Sequence, residues 1–364
     1  MKILLVGGTF DEWGGKASKI VKAMFKEFKT QSYFRWDVTL YNGGTILSLY
    51  DIIAYKVFKH DAVIWMPNIS NEVEDKMINS IKENNPTIIL VQSKRAVEKE
   101  YGDEDVIRRL LRSHSALGIK ITKDNSLNKY YFSLLDPLGN IYYYGSEVIY
   151  LVTKLFYRLK ELKSFTRYRS TYVGEYPNII ISQSFIDCVR ETSEKFTPLV
   201  SGASTERFLG NASTRVEPTR CSYGFPAQRL TGETIAVSKR NINKSMLTKD
   251  HFVVVGSDTS NGVEYCGSNK PSVDAPIQIE LFNYYRNVRY MIHGHVYIKD
   301  APMTEHKVPC GALEEIAEII KLYPSSSSCN FSVNLKGHGC IMLSDNVDYF
   351  RQQEFEARPF PEGE

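Results

Sequence analysis

The sequence has no long apolar run. No stretch approaches the roughly 18–20 apolar residues that a helix needs to cross a bilayer. The first residues, MKILLVGG, contain one basic residue and an apolar run too short for a secretory signal. We therefore expect a soluble cytoplasmic protein that has no membrane partner.

Net charge is also small. The 45 Lys and Arg against 42 Asp and Glu leave a formal charge of +3, which is too little for the positive surface of a dedicated nucleic-acid binder. Glycine and proline, at 23 and 14 residues, exclude collagen-like and low-complexity chains. A hydrophobic content of 43% argues against disorder, and 364 residues predict about two domains.

Cysteines are few and unpaired in the sequence. All six lie in the second half and none forms a CxxC motif, which excludes zinc-ribbon, thioredoxin-like and disulfide-scaffold proteins. Cys310 and Cys340 lie near the candidate site described below, and we interpret them as packed thiols.

Strand and helix patterns alternate through the first half. Apolar runs predict strands near 2–6, 36–41, 61–67, 87–92 and 118–122, and a hairpin over 130–145. Helical spacing predicts helices near 16–28, 46–58, 72–85, 103–116 and 146–163. This alternation predicts an α/β domain over 1–165 with a parallel, doubly wound, Rossmann/flavodoxin-like sheet.

Four glycines flank the turn after the first predicted strand: Gly7, Gly8, Gly14 and Gly15. Backbone N–H groups at the start of the next helix could hold the phosphate of a nucleotide or another ligand there. Neither G-x-G-x-x-G nor G-x-x-x-x-G-K-[ST] is present, so the motif is a weak candidate ligand loop. A tight strand-to-helix turn is the interpretation that we favour.

The pattern changes after the first domain. Residues 166–178 are polar and aromatic without a clear period, which predicts a linker. Residues 179–350 form a second predicted domain with shorter strand signals, and 351–364 form a tail.

The second domain contains a histidine pattern typical of a metal site. His293 and His295 alternate along an apolar strand, so both side chains leave the same face. His338 lies between two glycines, and Asp274 precedes the pair. Three imidazoles and a carboxylate suit zinc with an open coordination position. The HxH spacing alone would more often indicate two buried core histidines, and the third histidine and the carboxylate weaken that interpretation.

Five short motifs decide between these interpretations. GNASTR (210–215), LTKDHFVVV (247–255), KPSVD (270–274), HGHVY (293–297) and GHG (337–339) occur in the order typical of one family. Over about 180–350 the chain resembles the class II aldolase/adducin family. The resemblance implies an α/β/α sandwich around a mainly antiparallel sheet. It also implies a homo-oligomer, usually a tetramer, with active sites between neighbours.

The resemblance also implies roles for single residues. His293, His295 and His338 would bind Zn²⁺ or another divalent metal, and Asp274 would be the catalytic carboxylate. Substrate and phosphate binding would fall to the residues that match the family's polar loops: Asn211, Ser213, Ser238, Lys239 and Ser272. Two departures stand out, because Val273 replaces a serine and Lys239 replaces a small residue of the phosphate loop.

The implied activity is that of a zinc-dependent aldolase, a carbon–carbon lyase, or an epimerase. The metal would stabilise an enediolate of a phosphorylated sugar or sugar-nucleotide derivative. Two alternatives remain. The chain could be bifunctional, with the N-terminal domain processing a nucleotide or nucleoside, or it could be a non-catalytic adducin-like scaffold.

Overall fold

A computed structural model of the chain divides into two compact units, Met1–Ser164 and Phe165–Pro359. The structure describes residues 1–30, 36–85, 87–96, 102–166, 169–175, 179–200, 210–216, 230, 233–258 and 262–359. Within these ranges, no helix is both long and apolar enough to cross a membrane. Both units are α/β, which confirms the predicted fold class.

The described residues of the first unit form a seven-stranded sheet. Its strands are β1 (Lys2–Asp11), β2 (Asp37–Thr45), β3 (Ala62–Asn68), β4 (Ile89–Ala96), β5 (Leu117–Asp124), β6 (Lys129–Leu135) and β7 (Ile141–Gly145). The spatial order is β2-β1-β3-β4-β5-β6-β7. Strands β1 to β5 are parallel, and β6 and β7 form the predicted antiparallel hairpin. The parallel part has the flavodoxin-like order, whose switch point lies between β1 and β3.

Helices cover both faces of this sheet. They are α1 (Lys19–Thr30), α2 (Ile46–Tyr55), α3 (Asn71–Asn84), α4 (Asp103–Ser113) and α5 (Val148–Ser164). In β1, Ile3 and Leu5 pack with α1 and α5, whereas Leu4 and Val6 pack with α2 and α3. A strand buried on both faces reads as a continuous apolar run, so the sequence pattern and the doubly wound sheet agree.

The first glycine pair lies inside a strand and not after it. β1 continues through Gly7 and Gly8, where the sequence predicted its end. A Cβ atom at Gly7 would lie 2.4 Å from Cγ2 of Val21 in α1, so glycine lets the helix approach the sheet. At Gly15 a Cβ atom would lie 1.9 Å from the Thr9 carbonyl oxygen. These two glycines are required for close packing, whether or not a ligand binds at the loop.

The second unit has an eight-stranded sheet among its described residues. Its strands are β8 (Arg169–Gly174), β9 (Asn211–Arg215), β10 (Thr234–Ser238), β11 (Phe252–Asp258), β12 (Gly262–Cys266), β13 (Tyr290–Gly294), β15 (Phe331–Leu335) and β16 (Gly339–Ser344). Two short strands, β14 (Tyr297–Ile298) and β17 (Phe355–Glu356), pair separately. The order is β15-β16-β13-β9-β10-β11-β12-β8, antiparallel except for the β12–β8 pair. β8 falls within the segment predicted to be a linker.

Helices form a layer on each face of this sheet as well. They are α6 (Gln183–Phe196), α7 (Ala275–Tyr284), α8 (Glu314–Leu322) and α9 (Asp348–Arg351). Met291 and Ile341 pack with α7 and α8, while Ile292 and Met342 pack with α6 and α9. The result is the predicted α/β/α sandwich around a mainly antiparallel sheet. His293 follows Met291 by two residues and therefore lies on the face covered by α7 and α8.

Candidate metal centre

The three predicted histidines meet at one point of the second unit. His293 lies in the central strand β13, His295 follows that strand, and His338 lies in the turn between β15 and β16. Their ring centroids are 4.7–5.1 Å apart, and none of the side chains is more than 7% exposed. A ring nitrogen of each lies within 4.8 Å of a ring nitrogen of the other two.

Strand pairing and one glycine bring these rings together. His293 is paired with Asn211 of β9 and with Ile341 of β16, so β13 is held on both sides. A Cβ atom at Gly339 would lie 2.1 Å from the Gly294 carbonyl oxygen. Glycine beside His338 therefore allows the turn to approach the end of β13, which explains the GHG motif.

Hydrogen bonds determine which nitrogens face the cluster. His293 Nδ1 lies 2.8 Å from the Cys340 carbonyl oxygen, and because a carbonyl only accepts, Nδ1 carries the hydrogen. His338 Nδ1 lies 2.8 Å from Glu315 Oε1 in the same way. Nε2 of His293 is then a bare lone pair, as is Nε2 of His338 whenever that ring is neutral. His293 Nε2, His338 Nε2 and His295 Nδ1 are buried and have no hydrogen-bond partner among the described residues.

These orphaned nitrogens fit a metal ion. Ligand atoms at zinc–nitrogen distances in a tetrahedral site lie about 3.3–3.4 Å apart, so the rings need to close by only about an ångström. Burial lowers the pKa of His293 to about 4 and that of His295 well below its ordinary value. Both imidazoles are therefore neutral at physiological pH, which is the form that binds metals.

Glu315 sets the electrostatics of the third ring. Burial lowers the pKa of His338, but the attraction and hydrogen bond of Glu315 outweigh it and raise that pKa. Burial in turn raises the pKa of Glu315. A carboxylate that holds the far nitrogen of a metal-binding histidine orients the ring and increases its basicity.

Asp274 lies beside the rings at the N-cap of α7, where the helix dipole favours a carboxylate. Its Oδ2 is 3.9 Å from His293 Nε2, and the side chain is almost fully buried. Burial alone would raise the pKa of Asp274. The neighbouring His293 and His338, and hydrogen bonds from Cys310 and Ser272, lower it instead.

A buried amide network holds this carboxylate in place. Gln278 Nε2 donates to Asn211 Oδ1, which turns the Asn211 amino group towards Asp274. Asn211 Nδ2 then donates to Asp274 Oδ2 at 2.8 Å and to Ser272 Oγ at 3.0 Å. Two of the predicted substrate residues are thus part of the support around Asp274.

Among the described residues, the other three predicted substrate residues, Ser213, Ser238 and Lys239, are not part of the side-chain hydrogen-bond network around Asp274. Ser238 Oγ is fully buried and accepts from Ala212 N at 3.1 Å. Lys239 is half-buried, and its Nζ donates to Ser268 Oγ at 3.1 Å. Ser213 lies two residues beyond Asn211 inside the sheet and is completely buried. The structure therefore gathers Asn211 and Ser272 at Asp274 but leaves Ser213 inside the sheet.

Four residues near the centre were not among the predicted site residues. Glu315 and Gln278 contact its members directly, and Cys310 Sγ donates to Asp274 Oδ1 at 3.1 Å. Lys244 is buried, which lowers its pKa to about 7 despite the attraction of Asp274. No helix was predicted from the sequence at Glu315 or Gln278, and α7 is buried on nearly all sides, so its pattern does not show which face meets the histidines.

The buried Arg358 is another such residue. Its guanidinium donates to the Gly337 carbonyl oxygen at 2.5 Å, next to His338. It also acts on His295, because its positive charge lowers the pKa of that ring further than burial does alone. Residues of the predicted tail therefore pack against the turn that holds His338.

The sequence matches no protein-family model and no curated protein. Among solved structures, a DNA/pantothenate metabolism flavoprotein from Streptococcus pneumoniae is similar at 14% identity and a TM-score of 0.35, over 45% of this chain and 99% of that one. L-fuculose 1-phosphate aldolase is similar at 16% identity and a TM-score of 0.31, over 47% of this chain and 81% of that one. An aldolase II superfamily protein from Pseudomonas syringae is similar at 11% identity and a TM-score of 0.30, over 47% of this chain and 72% of that one.

Proposed function

We propose that the second unit is a metal-dependent aldolase or epimerase acting on a phosphorylated sugar or a sugar-nucleotide derivative. One observation carries the proposal: three buried imidazoles, each with an orphaned nitrogen, bring one ring nitrogen apiece within 4.8 Å of one another beside a buried carboxylate. Each buried, unpartnered polar group costs about 1–3 kcal/mol. A bound metal would offset that cost, whereas an adducin-like scaffold without a metal would not.

His293, His295 and His338 would hold the ion, and zinc suits three imidazoles with an open position. When bound, such an ion polarises neighbouring carbonyl and hydroxyl oxygens of the substrate. The residues of this chain would supply orientation and proton transfer around it.

Asp274 is the residue that would move the proton. Its lowered pKa keeps it ionised at neutral pH, so it would accept a proton from a substrate hydroxyl or carbon and later return it. Asn211 donates a hydrogen bond to Oδ2 of Asp274 and Cys310 donates one to Oδ1, and together they orient the carboxylate next to His293. This arrangement serves both bond cleavage and re-formation, and so both an aldolase and an epimerase.

Backbone pairing brings together the two segments that we propose bind the substrate phosphate. Ser272 N donates to the Ser238 carbonyl oxygen, and Arg240 N donates to the Lys270 carbonyl oxygen. The segments 238–240 and 270–272 therefore run side by side, and the second segment ends two residues before Asp274. We propose that Lys239, together with Ser238 and Ser272, takes over the phosphate where the family uses small residues.

The test is a screen of sugar phosphates and sugar nucleotides for aldehyde release and for epimerisation. The protein is assayed as purified, after chelation and after metal is restored. Asp274→Asn should lower kcat about 100-fold or more while metal content stays the same. The exposed Asp345→Asn is the control and should have wild-type activity. Full turnover by the chelated protein, or by Asp274→Asn, would contradict the proposal.

A second candidate function belongs to the first unit. Its flavodoxin-like order creates a switch point between β1 and β3, the place where open α/β sheets bind ligands. Trp13, in the loop after β1, is 92% exposed there. We propose that a nucleotide binds at this edge, beside Gly14 and Gly15. Titration with nucleotides should change Trp13 emission, and Trp13→Phe should abolish the change. Saturating nucleotide without any change in emission or heat would refute this function.

A further inference from the structure

We propose that Cys310 supplies a sulfur ligand to the metal ion that the three histidines hold. The inference rests on the proposed metal centre and extends it, because neither the family resemblance nor the histidine spacing points to a thiol. Cys310 lies in the segment between β14 and α8 and is half-buried.

The position of the thiol supports this role. Ligand atoms of Cys310, Asp274 and His338 all lie within 4.8 Å of one another. This trio shares His338 with the histidine cluster, so the sulfur lies at the edge of the same centre. His338 is almost completely buried, and its Nε2 has no hydrogen-bond partner among the described residues.

The local backbone is shaped to bring the thiol there. Gly311, the next residue, has φ +78°, which is unfavourable for residues with a side chain. A Cβ atom at Gly311 would lie 3.1 Å from the Val273 carbonyl oxygen, so the segment packs tightly against the residue before Asp274. Four residues after Gly311, α8 supplies Glu315 to His338. One short segment thus provides both the thiol and the carboxylate that orients the ring.

Thiolate sulfur suits the fourth position, and the Asp274 carboxylate, which we propose moves the proton, is already held in place. Its Oδ2 accepts from Asn211 at 2.8 Å and from Ser272 at 3.4 Å. The Cys310 Sγ contact with Asp274 Oδ1 is a weaker thiol bond at 3.1 Å. A rotation about the Cα–Cβ bond of Cys310 would move the sulfur, and thiolate is a preferred ligand of zinc at about 2.3 Å.

The bonding change is simple. The Sγ–H bond of Cys310 breaks, the proton leaves to the buffer, and the sulfur lone pair forms the bond to the metal. No oxidant or further reactant is needed. With four protein ligands the substrate-free centre is closed, and Cys310 is the ligand that a substrate oxygen would displace.

Cobalt substitution tests this with a readout that does not depend on activity. The full chain is loaded with Co²⁺, and its absorption spectrum is recorded with that of Cys310→Ser and of Cys329→Ser, a control at another half-buried thiol. The wild type and the control should show thiolate-to-cobalt charge-transfer absorption in the near ultraviolet. Cys310→Ser should lose that absorption, keep the visible bands of cobalt and bind the ion about tenfold or more weakly. Cys310→Ala should behave likewise, and circular dichroism verifies its fold.

The failures are distinguishable. Visible cobalt bands in the wild type without charge-transfer absorption would overturn the role of Cys310 and leave the histidine centre standing. Charge-transfer absorption that persists in Cys310→Ser would assign the sulfur to another cysteine and also overturn it. If the wild type binds no cobalt, both this inference and the proposed function fail.

Discussion

His338 Nδ1 and Glu315 Oε1 lie 2.8 Å apart, and both side chains are almost completely buried. This contact ties the first turn of α8 to the turn between β15 and β16. It also fixes the tautomer of His338, so that Nε2 faces the other two rings. Among the described residues, the candidate metal centre is thus supported by a carboxylate that is hydrogen-bonded to one of its three histidines.

Replacing Glu315 with glutamine should weaken metal binding about 10–100-fold. The amide oxygen can still accept from Nδ1, so the ring orientation survives, but the charge that increases its basicity is lost. Isothermal titration with Zn²⁺ measures the effect. Glu318→Gln is the matched control, because Glu318 Oε1 makes the same 2.8 Å contact with Nδ1 of the surface residue His306. Equal affinities for both variants would contradict this role of Glu315.

Lys244 should make the stability of the second unit depend on pH. Burial lowers its pKa to about 7, against the attraction of Asp274. Between pH 7 and 10.5 the unfolded chain holds a proton that the folded protein has released, so the free energy of unfolding falls as pH drops through this window.

Lys244→Met removes that titration. The variant should exceed the wild type in free energy of unfolding by on the order of 4 kcal/mol at pH 7, and by progressively less towards pH 10.5. Urea denaturation of the metal-free protein at several pH values measures the difference. The exposed Lys249→Met should follow the wild-type curve. Parallel curves for Lys244→Met and the wild type would refute the prediction.

Gly15 should be essential to the first unit for packing reasons. In Gly15→Ala the new Cβ would lie 1.9 Å from the Thr9 carbonyl oxygen, so the backbone of β1 or of the loop must move. We expect a loss of about 1–3 kcal/mol in the free energy of unfolding of this unit. Gly102→Ala, whose Cβ would meet nothing nearer than 3.9 Å, is the control. Thermal stability unchanged by Gly15→Ala would show that the close approach is not needed.

Much of the first unit could be predicted from the sequence. Strands buried on both faces give continuous apolar runs, and helices between them give a clear period, so alternation alone indicated the doubly wound sheet. The end of β1 was predicted too early, because paired glycines such as Gly7 and Gly8 usually indicate a turn. In the structure Val21 of α1 packs directly against Gly7, and this close contact is why the strand contains a glycine at that position.

The candidate site could be predicted in part. His293 and His295 share a strand face by spacing, but the position of His338 next to them depends on the pairing of β13 with β16. Cys310 reaches the centre from the segment before α8 and Glu315 from the first turn of α8, and no spacing rule relates these residues to the histidines. Ser213 matches a family motif, and it lies two residues further along β9 than Asn211. It is paired with Met291 and not with His293, and its side chain is completely buried.

Metal content of the purified chain tests the central claim most directly. We predict about one divalent ion per chain in the wild type, and a loss of most of it in His293→Ala and in His338→Ala. His60→Ala, a histidine of the first unit, should retain the wild-type content. Elemental analysis after dialysis gives the ratio of metal to protein. A stoichiometric ion in the wild type that disappears from both variants would support the account, whereas the same metal content in all four proteins would contradict it.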